Sequence, residues 1–489
     1  MKQLLLVLTL ITALSLYRLG TDMFNEDAHL WLERSVAFTN ALLKGDLKGT
    51  YQDPKPGVPV MLLSGASVET FLRLYEYKFG FRPLFYTYDT FCYINFAAKI
   101  PLVTLNIAFI VSMYLLVKKL FTEKIALLAT VILGFQPFYL ANSRFLHVDS
   151  TLTIFMNLSF LLYLYGIQSK QRTITFLSAI TAGLALLTKT QALFLFPLMA
   201  LITLLHFVLV HKNVKDNIHF FVIWVGSTFV AYFILFPAFW VNGIETFTNI
   251  MKEAFFVAST GNTSVQPFFH YFSLLTKDIS FVGLMLLLTS IFFLIAKAYK
   301  EQEKRFIYIS IVSFIFFYFI QMSIVKQKVD RYMLPLYPIS AISISIFLLS
   351  NKFVQNEKLK NKIMAVVLAL SFTVAAAYSP HYYAYAVKSY EDNYSAALFS
   401  EAARYINNKD DPYEAKVVSM TKTESLRPFI KGKTFGHEEA FPKDWRVNYV
   451  VTNDYWLTKY GKPKYFNKCN KVHVVAYRKT AFWDVYECN

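Results

Sequence analysis

The acidic stretch Phe24-Asn25-Glu26-Asp27-Ala28-His29-Leu30-Trp31 stands just past a first apolar run, among residues apolar enough to lie in a bilayer. A carboxylate at the point where a membrane chain leaves lipid and meets water is costly unless it has a task. Asp27 is the first candidate for a general base. Other polar side chains recur between later apolar runs: Lys55 in a Pro-Lys-Pro turn, Arg144 and Asp149 in Ser143-Arg144-Phe145-Leu146-His147-Val148-Asp149, Lys189 in Thr188-Lys189-Thr190-Gln191, and Lys328, Arg331 and Tyr332 in the run that begins at Lys326. Gathered on one face, they make a cavity of carboxylates and cations, suited to an anionic substrate and a proton-transfer step.

Each residue also has a plainer reading. Asp27 precedes a helical run and could cap it. Arg144 and Asp149 could tie two helix ends together. Lys189 could snorkel at a helix end, and Arg331 beside Tyr332 could anchor at the interface. His147 reads as structural. No second His or Cys stands at metal spacing, so a protein-built zinc site is not expected.

The elements that must position these residues are helices in a membrane. The chain is 55% hydrophobic and only 17% charged, with a mean hydropathy of +0.39. Apolar runs of about 18 to 25 residues recur along it, which marks a polytopic α-helical membrane protein with about eleven spans. The first runs from Lys2 to Leu19, followed by Tyr93–Val117, Ile125–Ala141, Leu152–Ile167, Ile174–Leu187 and Ala192–Val210. The others are Phe220–Trp240, Phe281–Ala296, Phe306–Val325, Met333–Leu349 and Ile363–Tyr378. Lys118, Lys119 and Lys124, then Lys170 and Arg172, then Lys212 and Lys215, then Lys297, Lys300, Lys304 and Arg305, and lastly Lys352, Lys358, Lys360 and Lys362 fall in alternate loops. The positive-inside rule makes that side cytoplasmic, with the amino end inside and the carboxyl end outside a plasma (inner) membrane. Span one lacks a small-x-small cleavage site and reads as an uncleaved anchor.

The net charge of +17 sits largely in these loops and needs no partner beyond membrane lipid. No basic motif points to nucleic acid. Three cysteines are too few for a disulfide framework, and a Cys469–Cys488 bond and two free thiols both remain open.

Three parts face outward. Residues 21–89 hold an amphipathic helix, Ala28 to Lys44, and a second interfacial helix, Val60 to Tyr77. Residues 241–278 read as a lid or substrate loop with a polar tip, Gly261-Asn262-Thr263-Ser264. Residues 379–489 read as a small extracytoplasmic α/β domain, with a helix at Tyr394–Ile406 and strands at Ala415–Met420, Asn448–Thr452, Lys471–Tyr477 and Trp483–Glu487. Residues 1–378 are then the membrane domain that carries the site.

The run Asp27-Ala28-His29-Leu30-Trp31-Leu32-Glu33-Arg34-Ser35, with Gly45-Asp46, Thr50-Tyr51-Gln52 and Pro56-Gly57-Val58, resembles the first outer loop of GT-C glycosyltransferases. It is most similar to the family 39-type, protein mannosyltransferase-like branch, which includes aminoarabinose transferases. The Arg144–Asp149 and Asp330–Pro335 segments are similar to later signatures of the group. Two departures stand out: Ala28 follows Asp27 where the family usually has Glu, with Glu26 preceding it instead, and Lys55 stands where many relatives carry His.

The resemblance implies a GT-C fold with juxtamembrane helices in the first outer loop. It implies a polyprenyl-phosphate sugar as donor and a protein, lipid or glycan hydroxyl as acceptor. Asp27 would be the catalytic base of an inverting transfer, with Glu26, Lys55, Arg144, Asp149, Lys189, Lys328, Arg331 and Tyr332 binding substrate. No cofactor is required on this reading, although a divalent cation is compatible with it.

A secondary transporter or lipid flippase is the alternative. It predicts inverted repeats and ionisable residues near the bilayer midplane. Neither is evident, since the polar residues lie at outer helix ends. A sensor predicts a cytoplasmic output domain, and the inner loops are short.

Overall fold

The computed structural model describes residues 2–21, 23–25, 27–259, 267–350, 356–378, 395–396, 398–420, 423–436, 447–477 and 480–488. The chain enters as helix α1 (Lys2–Leu16), passes a two-residue strand β1 (Phe24–Asn25), and forms α2 (Ala28–Leu43) and α3 (Val58–Phe79). Then come α4 (Tyr88–Leu120), α5 (Glu123–Gly134), α6 (Pro137–Asn142), α7 (Val148–Gln168), α8 (Arg172–Thr188), α9 (Leu195–Leu209) and α10 (Val214–Ile234). The bundle continues with α11 (Pro237–Ser259), α12 (His270–Lys300), α13 (Arg305–Ile324), α14 (Leu336–Ser350) and α15 (Glu357–Tyr378).

Each expected span coincides for most of its length with helix. Among the described residues, six helices are long and apolar enough to cross a membrane: Tyr88–Leu120, Val148–Gln168, Thr190–Leu209, Val214–Ile234, His270–Lys300 and Gln302–Ile324. Lys2–Leu16, Arg172–Thr188 and Leu336–Ser350 are apolar but shorter. The stretch Ile125–Ala141 is not one helix. It breaks at Phe135-Gln136, where Pro137 opens α6 and the Gln136 side chain accepts from the Tyr139 N–H at 2.5 Å. Proline at a first helical position lacks only an N–H that has no intrahelical partner, so it starts a new helix readily. Pro237 does the same after α10.

Residues 241–278 differ from expectation. They are mostly helix, carried by α11 and the first turns of α12, and Gly261–Ser264 lies outside the described residues. α12 bends at Ser280, whose φ is +66°.

Helix α7 is the most enclosed of the candidate spans. It packs on α8 through small residues: Ser159 and Ser178 hydroxyls lie 3.2 Å apart, and the Trp224 indole of α10 donates to Ser178 at 3.0 Å. Gly183 of α8 meets α10 so closely that a Cβ would come 2.8 Å from that of Ala231. Small residues of this kind let membrane helices approach and share polar contacts.

The tail folds as a five-stranded mixed sheet in the order β4-β3-β5-β7-β6, made of β3 (Lys416–Ser419), β4 (Lys433–Gly436), β5 (Tyr449–Thr452), β6 (Cys469–Tyr477) and β7 (Thr480–Cys488). β3 is parallel to β4 and β5, and β7 is antiparallel to β5 and β6. β4 and the short helices Thr423–Leu426 and Asp454–Tyr460 were not evident in the sequence, and the first tail helix begins at Phe399 rather than Tyr394. Cys469 and Cys488 are register partners in the β6/β7 hairpin and form a disulfide.

The tail is docked on the bundle. β1 pairs antiparallel with β2 (Ser395–Ala396), placing Phe24 opposite Ala396 and Asn25 opposite Ser395. Arg18 bonds Glu401 at 3.0 Å, and Phe429 packs edge-on against Phe91 with ring centres 5.4 Å apart.

Candidate active site

The first outer loop folds around an aromatic residue. Gly57 opens α3 in the left-handed region at φ +58°, and a Cβ there would lie 2.2 Å from Cζ3 of Trp31 on α2. Only glycine fits both constraints. The Gly57 N–H also donates to the Thr188 carbonyl at 3.2 Å, which binds the Pro-Lys-Pro-Gly turn to the end of α8 next to Lys189. Trp31 in turn meets the His147 ring edge-on, with centroids 6.1 Å apart. Arg34, one turn further along α2, lies over Trp31 and pairs with Asp53 at 2.5 Å.

Asp27 sits at the N-cap position of α2, yet its side chain makes no capping hydrogen bond. It points to other charges instead. Its Oδ2 lies 3.4 Å from His147 Nε2 and 3.5 Å from Arg331 Nη2, and its side chain is 31% exposed. Burial acts to raise its pKa, but the hydrogen bond and charge of His147, with the charges of Arg331 and Lys55, outweigh it. The carboxyl is held well below the usual aspartate range and stays ionised.

Asp149 lies beneath, in the first turn of α7 and only 3% exposed. Three groups surround it: Lys189 Nζ is 2.7 Å from Oδ1, and His147 Nδ1 and Arg331 Nε are 2.9 and 3.0 Å from Oδ2. Lys189 also stands 3.8 Å from the centre of the Tyr332 ring, a cation–π contact. Two carboxylates, one open to solvent and one enclosed, are therefore joined by both His147 and Arg331.

Asp27, Asp149, Lys189, Arg331 and Tyr332 thus come together from four separate parts of the sequence. Lys55 is close enough for its charge to reach Asp27, and its Nζ lies 3.7 Å from Glu253 on α11. Arg144 is placed against the last turn of α1, where it donates to the Ser15 carbonyl at 3.0 Å and to the Tyr17 carbonyl. Lys328 donates to the Val325 carbonyl at 2.8 Å, and burial lowers its pKa. Glu26 lies outside the described residues.

His147, read as structural, does cap α7, where its Nδ1 accepts from the Asp149 N–H at 3.4 Å, and it also lies between the two carboxylates. Lys99 also escaped notice. It is fully buried within α4, so the polar residues are not confined to helix ends. It stands one turn below Asn95, which donates to the Gly20 carbonyl at 2.9 Å near the outer end of α1.

Beside Lys55, a cavity of about 430 Å³ opens between the first outer loop and α11, lined by Tyr51, Gln52, Asp53, Asn249, Lys252 and Glu253. A smaller one, about 140 Å³, lies between α12 and α13 near Arg305, next to the Lys300–Lys304 loop and away from the carboxylates. Among the described residues no group of three or more His, Cys, Asp or Glu is arranged to hold a metal ion.

Residues 56–252 match the family model of dolichyl-phosphate-mannose-protein mannosyltransferase. An uncharacterized protein of Aquifex aeolicus is 28% identical over 273 residues, 54% of this chain, and the match spans about half (51%) of that relative. Among solved structures, ArnT from Cupriavidus metallidurans bound to undecaprenyl phosphate superposes with a TM-score of 0.55 at 12% identity, over 99% of this chain and 97% of that one. The oligosaccharyltransferase of Archaeoglobus fulgidus in its apo form gives 0.51 at 13% identity, over 92% of this chain and 69% of that one.

The chain is accordingly an integral membrane protein of the GT-C glycosyltransferase fold. Its resemblance to the protein mannosyltransferase-like GT-C proteins stands in both sequence and fold.

Proposed function

We propose that this chain is an inverting glycosyltransferase that moves a sugar from a polyprenyl-phosphate donor to an acceptor hydroxyl at the outer face of the plasma membrane. The observation that carries this reading is Asp27: an ionised, partly exposed carboxylate fixed by His147 and Arg331 at the mouth of a site whose floor, Asp149, is already neutralised. The family model matched is that of dolichyl-phosphate-mannose users, and the structural neighbour ArnT was crystallised with undecaprenyl phosphate. The outer location rests on the lysine- and arginine-rich loops at the opposite helix ends.

The acceptor oxygen attacks the anomeric carbon as Asp27 takes its proton. The bond from that carbon to the phosphate oxygen breaks on the opposite face, and the polyprenyl phosphate leaves with the electron pair, so the anomeric configuration inverts. No covalent sugar–enzyme intermediate is needed, and one base suffices. Lys55 and Arg331 are fixed cations on which the leaving phosphate can rest, and this reading routes no step through a metal. The cavity beside Lys55 offers hydroxyl, amide and carboxylate groups to the acceptor.

The test uses the purified protein in liposomes with a panel of radiolabelled polyprenyl-phosphate sugars and crude envelope acceptors. Donor-specific release of polyprenyl phosphate is expected from the wild type and is lost in Asp27→Asn. Undiminished turnover in that variant would overturn the assignment of the base.

A further inference from the structure

The loop between α12 and α13 lies at the far end of α13 from Arg331, and the smaller cavity opens beside it. It is a cleft of about 140 Å³ whose walls are Ile295 and Tyr299 of α12 and Ile309 and Val312 of α13. Ile295 and Tyr299 are 38% and 73% exposed, so the cleft is open on its outer side to the lipid around the bundle. Arg305 is the charged residue in its lining.

The protein leaves this arginine underused. A guanidinium is a fork of N–H donors with no acceptor. Among the described residues, Nη1 reaches Gln302 Oε1 at the long distance of 3.5 Å, and the group stands 6.0 Å from the centre of the Tyr299 ring. Nε is buried with no hydrogen-bond partner. The carboxylate of the same loop is engaged elsewhere: Glu301 accepts from Lys297 Nζ at 2.5 Å and from the Tyr308 hydroxyl at 2.7 Å, while Glu303 is exposed. A buried cationic donor without an acceptor is costly, and an anionic oxygen brought by a ligand relieves that cost. Other basic loops are paired internally. Lys118 bonds Glu123 at 2.8 Å, and Lys124 and Lys360 both bond Glu357. A second apolar cleft, between α1, α5 and α15, has only the neutral Gln3 and Asn361 as polar lining.

We propose that the α12/α13 cleft binds an anionic glycerophospholipid. Its headgroup phosphate sits on the Arg305 guanidinium, with Lys300 and Lys304 in the same loop, and an acyl chain lies in the cleft against Ile295, Ile309 and Val312. The positive-inside reading puts this site in the cytoplasmic leaflet, across the membrane from the two carboxylates. Basic pockets between membrane helices on that side suit anionic headgroups, and the arginine fork matches phosphate oxygens. The site is separate from Asp27 and Asp149, and it does not depend on the transferase reading.

Two measurements test this. The purified full chain in detergent is titrated with phosphatidylglycerol, with phosphatidylcholine and with the soluble headgroup fragment glycerol 3-phosphate, and bound ligand is read by native mass spectrometry. Phosphatidylglycerol is expected to bind the wild type in preference to phosphatidylcholine. Arg305→Gln is expected to weaken it by about tenfold or more, the worth of hydrogen bonds to a charged group. Ile309→Trp keeps the arginine but fills the cleft, and is expected to weaken it as well. Lys300→Gln removes one exposed charge from the same loop and is expected to weaken it by less than about fivefold. Equal affinity for the two lipids would overturn the proposal. So would equal losses in Arg305→Gln and Lys300→Gln, which mean diffuse attraction, or tight binding of glycerol 3-phosphate, which means a site for a soluble phosphate.

The second measurement needs no variant. Phosphatidylglycerol with a photoactivatable group on its acyl chain is crosslinked to the wild-type protein in nanodiscs, and the adducts are mapped by peptide mass spectrometry. They are expected to concentrate on residues 295–312, and not to do so with the matching phosphatidylcholine probe. Adducts spread alike over the lipid-facing helices with both probes overturn the proposal even if a variant fails to fold.

Discussion

Lys189 Nζ lies 2.7 Å from Asp149 Oδ1, and the two side chains are 10% and 3% exposed. The pair is enclosed where α7 begins and α8 ends, so removing the lysine leaves a buried carboxylate short of a cation. Breaking such a pair from one side costs about 3–5 kcal/mol. Lys189→Met is expected near the lower figure, because Arg331 also contacts Asp149. Thermal unfolding in detergent checks this, with Lys55→Met, whose lysine is 46% exposed, expected to unfold within a degree or two of wild type.

Gly57→Ala combines a left-handed backbone with a Cβ 2.2 Å from the Trp31 indole. The strain is about 1–3 kcal/mol. Because Trp31 borders His147, the displaced indole is also expected to lower turnover at least tenfold. Gly80→Ala is the control: its φ is +77°, but nothing lies within 4 Å of the added carbon, so only stability should fall. Equal turnover in the two variants would mean that Trp31 does not support the site.

The depressed carboxyl of Asp27 makes a pH prediction with a definite sign. A folded pKa below the ordinary aspartate value of 3.8 contributes stability that is fully present above 3.8 and is lost as pH falls through the folded value. The stability gap between wild type and Asp27→Asn should therefore be flat around neutral pH and narrow only below about pH 4. Infrared difference spectra of the two proteins at pH 3.8 should show no protonated carboxyl band from Asp27. A band that is half developed at that pH would mean that the surrounding cations do not hold it ionised.

The Cys469–Cys488 bond closes the β6/β7 hairpin across a separation of 19 residues. Losing a link over a loop of this length costs about 2–4 kcal/mol. The double variant Cys469→Ser/Cys488→Ser is expected to make the tail sensitive to limited proteolysis while the bundle stays resistant. Identical cleavage with and without reductant in the wild type would count against the bond.

Much of the bundle could be read from apolar run length, because a helix in lipid must satisfy its own backbone and hydrocarbon thickness sets its span. Run length fails where hydropathy continues across a break, as at Phe135-Gln136. It also fails at α11, where Glu245, Lys252 and Glu253 interrupt an amphipathic helix whose Thr246 and Ile250 are buried. β4 has four residues and buries only Thr434, too little for an alternating pattern to register. The charged residues at loop ends, Asp27, Asp149, Lys189 and Arg331, could be read because charge is costly beside lipid. His147 could not. Its Asp149 partner is two residues away, but Asp27 belongs to another loop, and no spacing in the chain encodes that approach.

The pairing of Phe24 and Asn25 with Ala396 and Ser395 has a consequence for how the protein is made. A ribosome delivers the segment leading to Asp27 almost at once, but its strand partner only after most of the membrane helices have been synthesised. Until residue 396 has emerged and crossed to the side where Asp27 waits, that segment has no edge to pair with. The site is therefore among the last parts of the molecule to be assembled, and a nascent chain still held at the translocon does not yet contain it in finished form.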